Sequence, residues 1–395
     1  MKSPLLTRWI DPVTGVVSHI LDRRAAPLQQ SFYYTHPSMT EDGRYYWFYC
    51  AFPPSGDARD GRSLAVADFV EHTVTHFPDA HFREASPLVD RSTGEVYWCE
   101  GDSIYKRSPR KNDAGAIRVN RLAPEWVKYR NLGSLATHLT FSADKKNLNI
   151  DTRAGREWMV GHAPLDGGAV VTWQTFERLY NHGQFSPTDP DLQLIAQDYG
   201  ADIVTGKITA YENRMWLIRK GGRAEPVFAA NTENGYAGEA WNAHLNGEDG
   251  RSCVADPRAL HGHEWWDADG EHIWYIHYGR GVERVPLDTR KPELVWPLKT
   301  ISHAHASADG RWLAGDNQPP QNPADSRVLF FNRETGREIE IVSHMPRMGA
   351  DFKPYHIDPH PQFCFGDRLV CYTTMVRGQV DVAFCDVAEL VKLTG

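Results

Sequence analysis

The sequence predicts an all-β fold, a seven-bladed β-propeller. Three observations carry that reading: a turn-and-strand unit that recurs along the chain, an abundance of aromatic and turn-forming residues, and a scarcity of helical periodicity. The unit appears as TEDGRYYWFYC, RSTGEVYWCEG, FSADKKNLNIDT, FSPTDPDLQLIA, WDADGEHIWYIHY, SADGRWLAGD and CFGDRLVCYTT. In each, Asp, usually with Gly, supplies a tight turn, and the apolar–polar alternation after it supplies a half-buried strand. Successive units lie about 40 to 55 residues apart, the length of one propeller blade.

Residues 1 to 30 include GVVSHIL, a strand expected to close the last blade. The interval between the fourth and fifth units is longer, about 80 residues, against the usual blade length. Its surplus contains AANTENGYAGEAWNAHLNGEDGRSCVADPRAL, polar and Gly-rich, and is read as a long loop around residues 220–260 inserted into a single propeller domain spanning 1–395. Helices are expected only as short pieces near residues 123–130 and 387–393. Thirteen Trp, 16 Tyr and 16 Phe beside 32 Gly and 25 Pro suit such a strand-rich, turn-rich chain.

The formal charge of -8 is spread along the chain with no basic stripe, which argues against a nucleic-acid partner. An anionic substrate would then need local cations, so single arginines and metal sites gain interest. The start, MKSPLLTRWIDPVTG, has no apolar signal core, and no run of about 18 apolar residues offers a membrane span. Six cysteines, at 50, 99, 253, 364, 371 and 385, form no CxxC pair and read as buried reduced thiols. A cytoplasmic protein is the expectation; the oligomeric state is left open.

Chemistry concentrates in histidines. His303 and His305 stand in SHAHAS, and His356, Asp358 and His360 in YHIDPHP. Alternate residues of an extended strand share a face, so each run can aim imidazole and carboxylate at one point. That donor set suits a divalent metal such as manganese, zinc, iron or nickel, and not a structural thiolate site. Strand register leaves the choice between His303 and His305 open. His182 in YNHGQFSPTDPDL and His261 and His263 in HGHEWW also sit just before a turn, at the start of a blade. A lone His there, such as His138, is more often a satisfied polar contact; four successive repeats carrying one is a pattern.

These stretches resemble the oligogalacturonate lyase family, in which HxQFSPTDPDL, RxWLI, HEFW before a DG turn, a His before SxDGxxxxGD, and QxxHPHP follow in this order. Here they read HGQFSPTDPDL from His182, RMWLI from Arg214, HEWW from His263, His303 or His305 before SADGRWLAGD, and YHIDPHP ending at His360. The resemblance is good over residues 170–385, and FSPTDPDL is its most specific string. It implies a seven-bladed propeller, a divalent metal that is usually Mn(2+), and β-elimination of uronic-acid oligosaccharides. By motif, His263 takes the place of the general base and Arg214 that of the arginine on the substrate carboxylate. His303 or His305, with His360, takes metal-ligand places, and His182, Gln184, Tyr355 and Tyr278 are expected to bind substrate. Glu264 beside the base is expected to orient a neighbour.

The chain departs from the family in two places. Tyr355 and Asp358 stand where the family has Gln and His, so one imidazole becomes a carboxylate, with His356 nearby. The stretch between Arg214 and His263 is also about twice the family spacing, enough to reshape a substrate cleft. A galacturonide is the default substrate; a glucuronate- or ulvan-type glycan handled by His/Tyr chemistry is the alternative. The rivals are a non-catalytic binding propeller and a hydrolase using two carboxylates among Asp189, Asp191 and Asp316.

Overall fold

The computed structural model describes residues 3–110, 113, 115–198, 200–201, 204–206, 208–209, 213–228, 261–317, 325–346 and 349–395. Seven small antiparallel sheets follow one another along the chain as the blades of a β-propeller. Most of the expected insertion, residues 229–260, lies outside the described residues, and so does Cys253. The five described cysteines are buried reduced thiols.

Contacts divide the chain into two compact units. One comprises Met1–Trp98, Tyr105–Ile117 and Thr300–Gly395. It contains the first sheet (Leu28–Gln30, Tyr45–Ala51, Asp60–Asp68, Thr73–Arg83) and the sixth (Ile301–Ala306, Trp312–Asn317, Asp325–Asn332, Arg337–Pro346). It also contains the seventh, in which Gln362–Cys364, Leu369–Thr374 and Asp381–Asp386 are joined by two strands from the chain start. Val17–Leu21 pairs with Asp381–Asp386 and Leu6–Ile10 pairs with Val17–Leu21, so the closing element is a hairpin and not the single strand expected. Its core packs Ile20, Leu28, Phe330, Ile341 and Tyr372 against Leu390 of the terminal helix Val387–Thr394, whose start is capped by the Asp386 carboxylate on the Ala388 N–H. The other short helix forms over Pro124–Val127.

The second unit comprises Cys99–Ile104 and Arg118–Lys299. It contains the third sheet (Asn147–Ala154, Glu157–Pro164, Val171–Phe176), the fourth (Tyr180–Phe185, Leu192–Gln197, Met215–Arg219, Glu225–Pro226) and the fifth (His261–Trp266, His272–His277, Gly281–Pro286, Glu293–Trp296). Leu194, Met215, Phe228, Ile273, Tyr275 and Val285 make an apolar cluster within it. The remaining sheet, Leu88–Val89, Val96–Glu100, Ser103–Arg107 and Ile117–Arg121, follows the first in sequence. Among the described residues no helix is long and apolar enough to cross a membrane.

In every sheet but the third the recurring turn joins two neighbouring strands; in the third it lies just before Asn147–Ala154, flanked by the bridge between Phe141 and Leu148. In DADG, the Asp269 carboxylate accepts the N–H groups of Glu271 and His272 at 2.8 and 3.1 Å. Gly270 has φ +70°, and a β-carbon there would fall 2.0 Å from the Thr188 hydroxyl, so this turn needs glycine to receive the FSPT turn of the neighbouring sheet. Asp189 answers locally to the Asp191 N–H and to Arg219. The specificity of FSPTDPDL is thus a packing requirement before any chemistry.

Candidate functional site

Regular pairing breaks in the initial strands of three sheets, as it does between some later strands. Register shifts occur between Asn181 and Gln184, between Gly262 and Trp265, and between Ile301 and His303. A bulge swings side chains off the regular alternation. His182 and His263 lie in the first two of these interruptions with left-handed backbones, φ 51° and 54°, and His356 and His360 share that conformation at 48° and 43°. Outside glycine each such residue costs about 1–3 kcal/mol, and these conformations collect at functional sites.

In the first unit, His303, Asp358 and His360 bring one ligand atom each within 4.8 Å of one another. The YHIDPHP segment is held from two sides. Gln30 donates its side-chain N–H to the carbonyls of Tyr355 and His356, at 3.3 and 3.1 Å, while the Ser31 hydroxyl and the Thr373 N–H both bond the Pro359 carbonyl. The His303 and His360 rings meet edge to face at 4.4 Å, and His356 stacks over His360 at 5.8 Å while its Nε2 sits 2.9 Å from Asp358.

The electrostatics of the group follow from burial and from the charges packed together in it. Burial opposes the Asp358 charge, but the His356 hydrogen bond and the imidazoles of His303 and His360 hold its carboxyl well below the usual carboxylate range. Burial, together with His303, drives His360 well below the ordinary imidazole value, so its ring is neutral. Burial also pushes His303 down, but the Asp316 carboxylate beside it wins and raises it. His360 Nε2 is buried with no hydrogen-bond partner, a costly state that a metal ion relieves. Two imidazoles and a carboxylate fit manganese or zinc.

His305 stands apart from this group. Its Nδ1 accepts the Phe363 N–H at 3.0 Å, and burial lowers its pKa to about 4. Tyr355 is buried in the apolar cluster with Phe352 and Phe363. Two aromatic residues not anticipated from the sequence complete the surroundings: the Tyr33 ring lies 5.1 Å from His360 and 6.2 Å from His303, and Tyr34 lies 5.7 Å from His303. They belong to FYYTH, where His36 precedes its turn like the other histidines; applied to the first repeat, that placement would have drawn attention to them.

The second unit holds a different cluster. Arg214 directs Nε and one Nη to Glu264, at 3.1 and 3.3 Å, and its other Nη to Asp198 at 3.0 Å. Glu264 also faces His182 Nδ1 at 3.3 Å, and the His182 ring meets His138 at 4.6 Å. Burial works against the Glu264 charge, yet Arg214 and His182 bring its pKa down to about 2. Asp151 receives the Gly183 N–H, the Thr137 N–H and the Thr137 hydroxyl, and burial still raises its pKa to about 6. Asp198 and Asp151 were not anticipated, since nothing in their local sequence marks them.

Gln184 is a strand tie, donating to the Glu264 carbonyl at 2.9 Å while its own carbonyl takes the Trp266 indole N–H. His263, half-buried, presents its ring 5.9 Å from that of Tyr278. Gly262 makes this pairing fit: a β-carbon there would lie 2.5 Å from the Tyr278 hydroxyl. A second acidic group, Asp267, Asp269 and His272, already carries a cation, because Arg284 bonds both carboxylates.

The sequence matches no protein-family model and no curated protein. The structure is similar to that of an oligogalacturonate lyase in complex with manganese, at TM-score 0.72 and 15% identity over 96% of each chain. It is also similar to an oligogalacturonate lyase from Vibrio parahaemolyticus, at TM-score 0.70 and 15% identity over 97% of this chain and 96% of the other. At that identity the likeness establishes the fold: this chain is a seven-bladed propeller of the same architecture as the oligogalacturonate lyases.

Proposed function

We propose that the protein is a metal-assisted lyase that cleaves 4-linked uronic-acid oligosaccharides by β-elimination, with galacturonides as default substrate. One observation carries the reading: the His303, Asp358 and His360 group with its orphaned His360 nitrogen, on a propeller shared with oligogalacturonate lyases. His303 and His360 offer ring nitrogens and Asp358 an oxygen. A divalent cation held there, manganese by default and zinc as another fit, supplies positive charge to a uronate carboxylate as the adjacent proton becomes acidic.

The protein's residues account for the rest. His263 takes the proton from carbon 5 as general base; the electron pair forms the carbon 4–carbon 5 double bond, the carbon 4–oxygen bond breaks, and the departing oxygen is protonated. Its left-handed backbone in a bulge and its half-buried ring suit a residue aimed outward from the strand. Arg214, bonded to Glu264 and Asp198, meets a substrate carboxylate only in competition with Asp198. Glu264 fixes both Arg214 and His182. The His263–Tyr278 pair favours a second reading on the same scaffold, a glucuronate- or ulvan-type lyase in which Tyr278 protonates the leaving oxygen.

The test is a panel of galacturonate and glucuronate oligosaccharides, with and without added manganese, followed by the ultraviolet absorbance of the unsaturated product. A rise on a galacturonide that chelation abolishes supports the first reading; a chelator-resistant rise on a glucuronide supports the second. No rise on any uronate would sink both and leave a binding propeller. Expression in the cytoplasm and the absence of nucleic-acid or membrane partners remain part of the proposal.

A further inference from the structure

We propose that Asp316 is a positioning residue that sets which nitrogen His303 presents and fixes the backbone of His360, an inference that rests on the metal-centre reading. Asp316 lies in the strand Trp312–Asn317, directly across from His303 in the register. It is 2% exposed. Its Oδ1 accepts the backbone N–H of His303 at 3.1 Å, and both of its oxygens lie against the His303 Nδ1, at 3.0 and 3.1 Å. Its Oδ2 accepts the backbone N–H of His360 at 3.0 Å. One buried carboxylate thus ties together two candidate ligands separated by 57 positions in the chain, 303 and 360.

A carboxylate only accepts, so the neutral His303 ring must carry its proton on Nδ1. That puts the ring's lone pair on Nε2, the arrangement that carboxylate–histidine pairs impose on metal ligands. The bond to His360 addresses a different need. His360 has φ 43°, a conformation that persists only where surroundings hold it, and Asp316 supplies one of those restraints. Asp316 is not itself within the ligand group, so its contribution is orientation. Nor do these bonds leave it placed as one of a hydrolase's two free carboxylates.

Asp316→Asn tests this, because an amide of the same size turns one acceptor into a donor facing three N–H groups. Titration of the metal-free wild type and variant with Mn(2+) and with Co(2+) should show affinity lower by about 10- to 100-fold in the variant. The visible absorption of the Co(2+)-loaded variant should also shift. In the wild type, nitrogen-15 spectra of the histidine side chains, at a pH where His303 is neutral, should show its proton on Nδ1. Equal affinity and an unchanged cobalt spectrum overturn the proposal, as does a wild-type His303 carrying its proton on Nε2. The wild-type measurement decides even if the variant does not fold. A wild type that binds neither ion overturns the metal centre itself, a result distinct from equal binding by both proteins.

Discussion

The two histidine-rich clusters are built from the same local material and end in opposite states. Each uses a sheet-initial strand with an interrupted register and left-handed histidines. In the second unit Arg214 bonds Glu264 and Asp198, and Glu264 also faces His182. In the first unit, His303, Asp358 and His360 stand close with one buried nitrogen unsatisfied. The difference lies in whether a cation comes with the chain. The Arg214 guanidinium closes the cluster of the second unit, whereas the three members of the first unit's group are two imidazoles and a carboxylate.

Removing one proposed ligand should break that contrast most severely. His360→Ala is expected to weaken Mn(2+) binding beyond the roughly 10- to 100-fold that loss of a supporting residue costs, as read by metal analysis after dialysis. Full occupancy in the variant would show that the cluster does not hold the ion.

The saturated cluster should respond in stability instead. Glu264 has its pKa lowered from 4.5 to about 2 in the fold, so its contribution is complete above pH 4.5 and drains away as pH falls toward 2. Glu264→Gln should therefore cost about 3 kcal/mol at neutral pH and flatten that part of the acid limb. Urea unfolding across the pH range checks it, and an unchanged acid limb would remove Glu264 from the network's energetics.

Two smaller effects sharpen the boundary of each cluster. His305→Ala leaves the Phe363 N–H without its acceptor and should cost about 1–3 kcal/mol with metal binding intact. Loss of metal in that variant would place His305 among the ligands. Gly262→Ala presses a methyl group toward the Tyr278 hydroxyl and should cost about 1 kcal/mol, with a larger proportional loss of the proposed lyase activity. Thermal denaturation beside the absorbance assay separates the two.

Much of this was legible in the chain because strands and turns are local. DADG and SADG specify tight turns through side chains that bond backbone two or three residues away, and every expected unit but the third became the turn between two neighbouring strands of a sheet, the third lying just before the strand Asn147–Ala154. The position of the histidines before those turns was legible for the same reason. Their partners were not. Asp316 reads in sequence as a residue beside a turn, and becomes the tether of His303 and His360 only when the strand Trp312–Asn317 pairs with Ile301–Ala306.

By itself, then, the sequence determined the propeller architecture and the candidate residues of the site, through periodicity and turn chemistry that act over a few positions. Only tertiary structure decided that His303 and not His305 stands with Asp358 and His360, and that Arg214 is bonded to two carboxylates. The physical reason is that bulge geometry, burial and ion pairing depend on which distant segment arrives alongside, and spacing along one chain does not encode that directly.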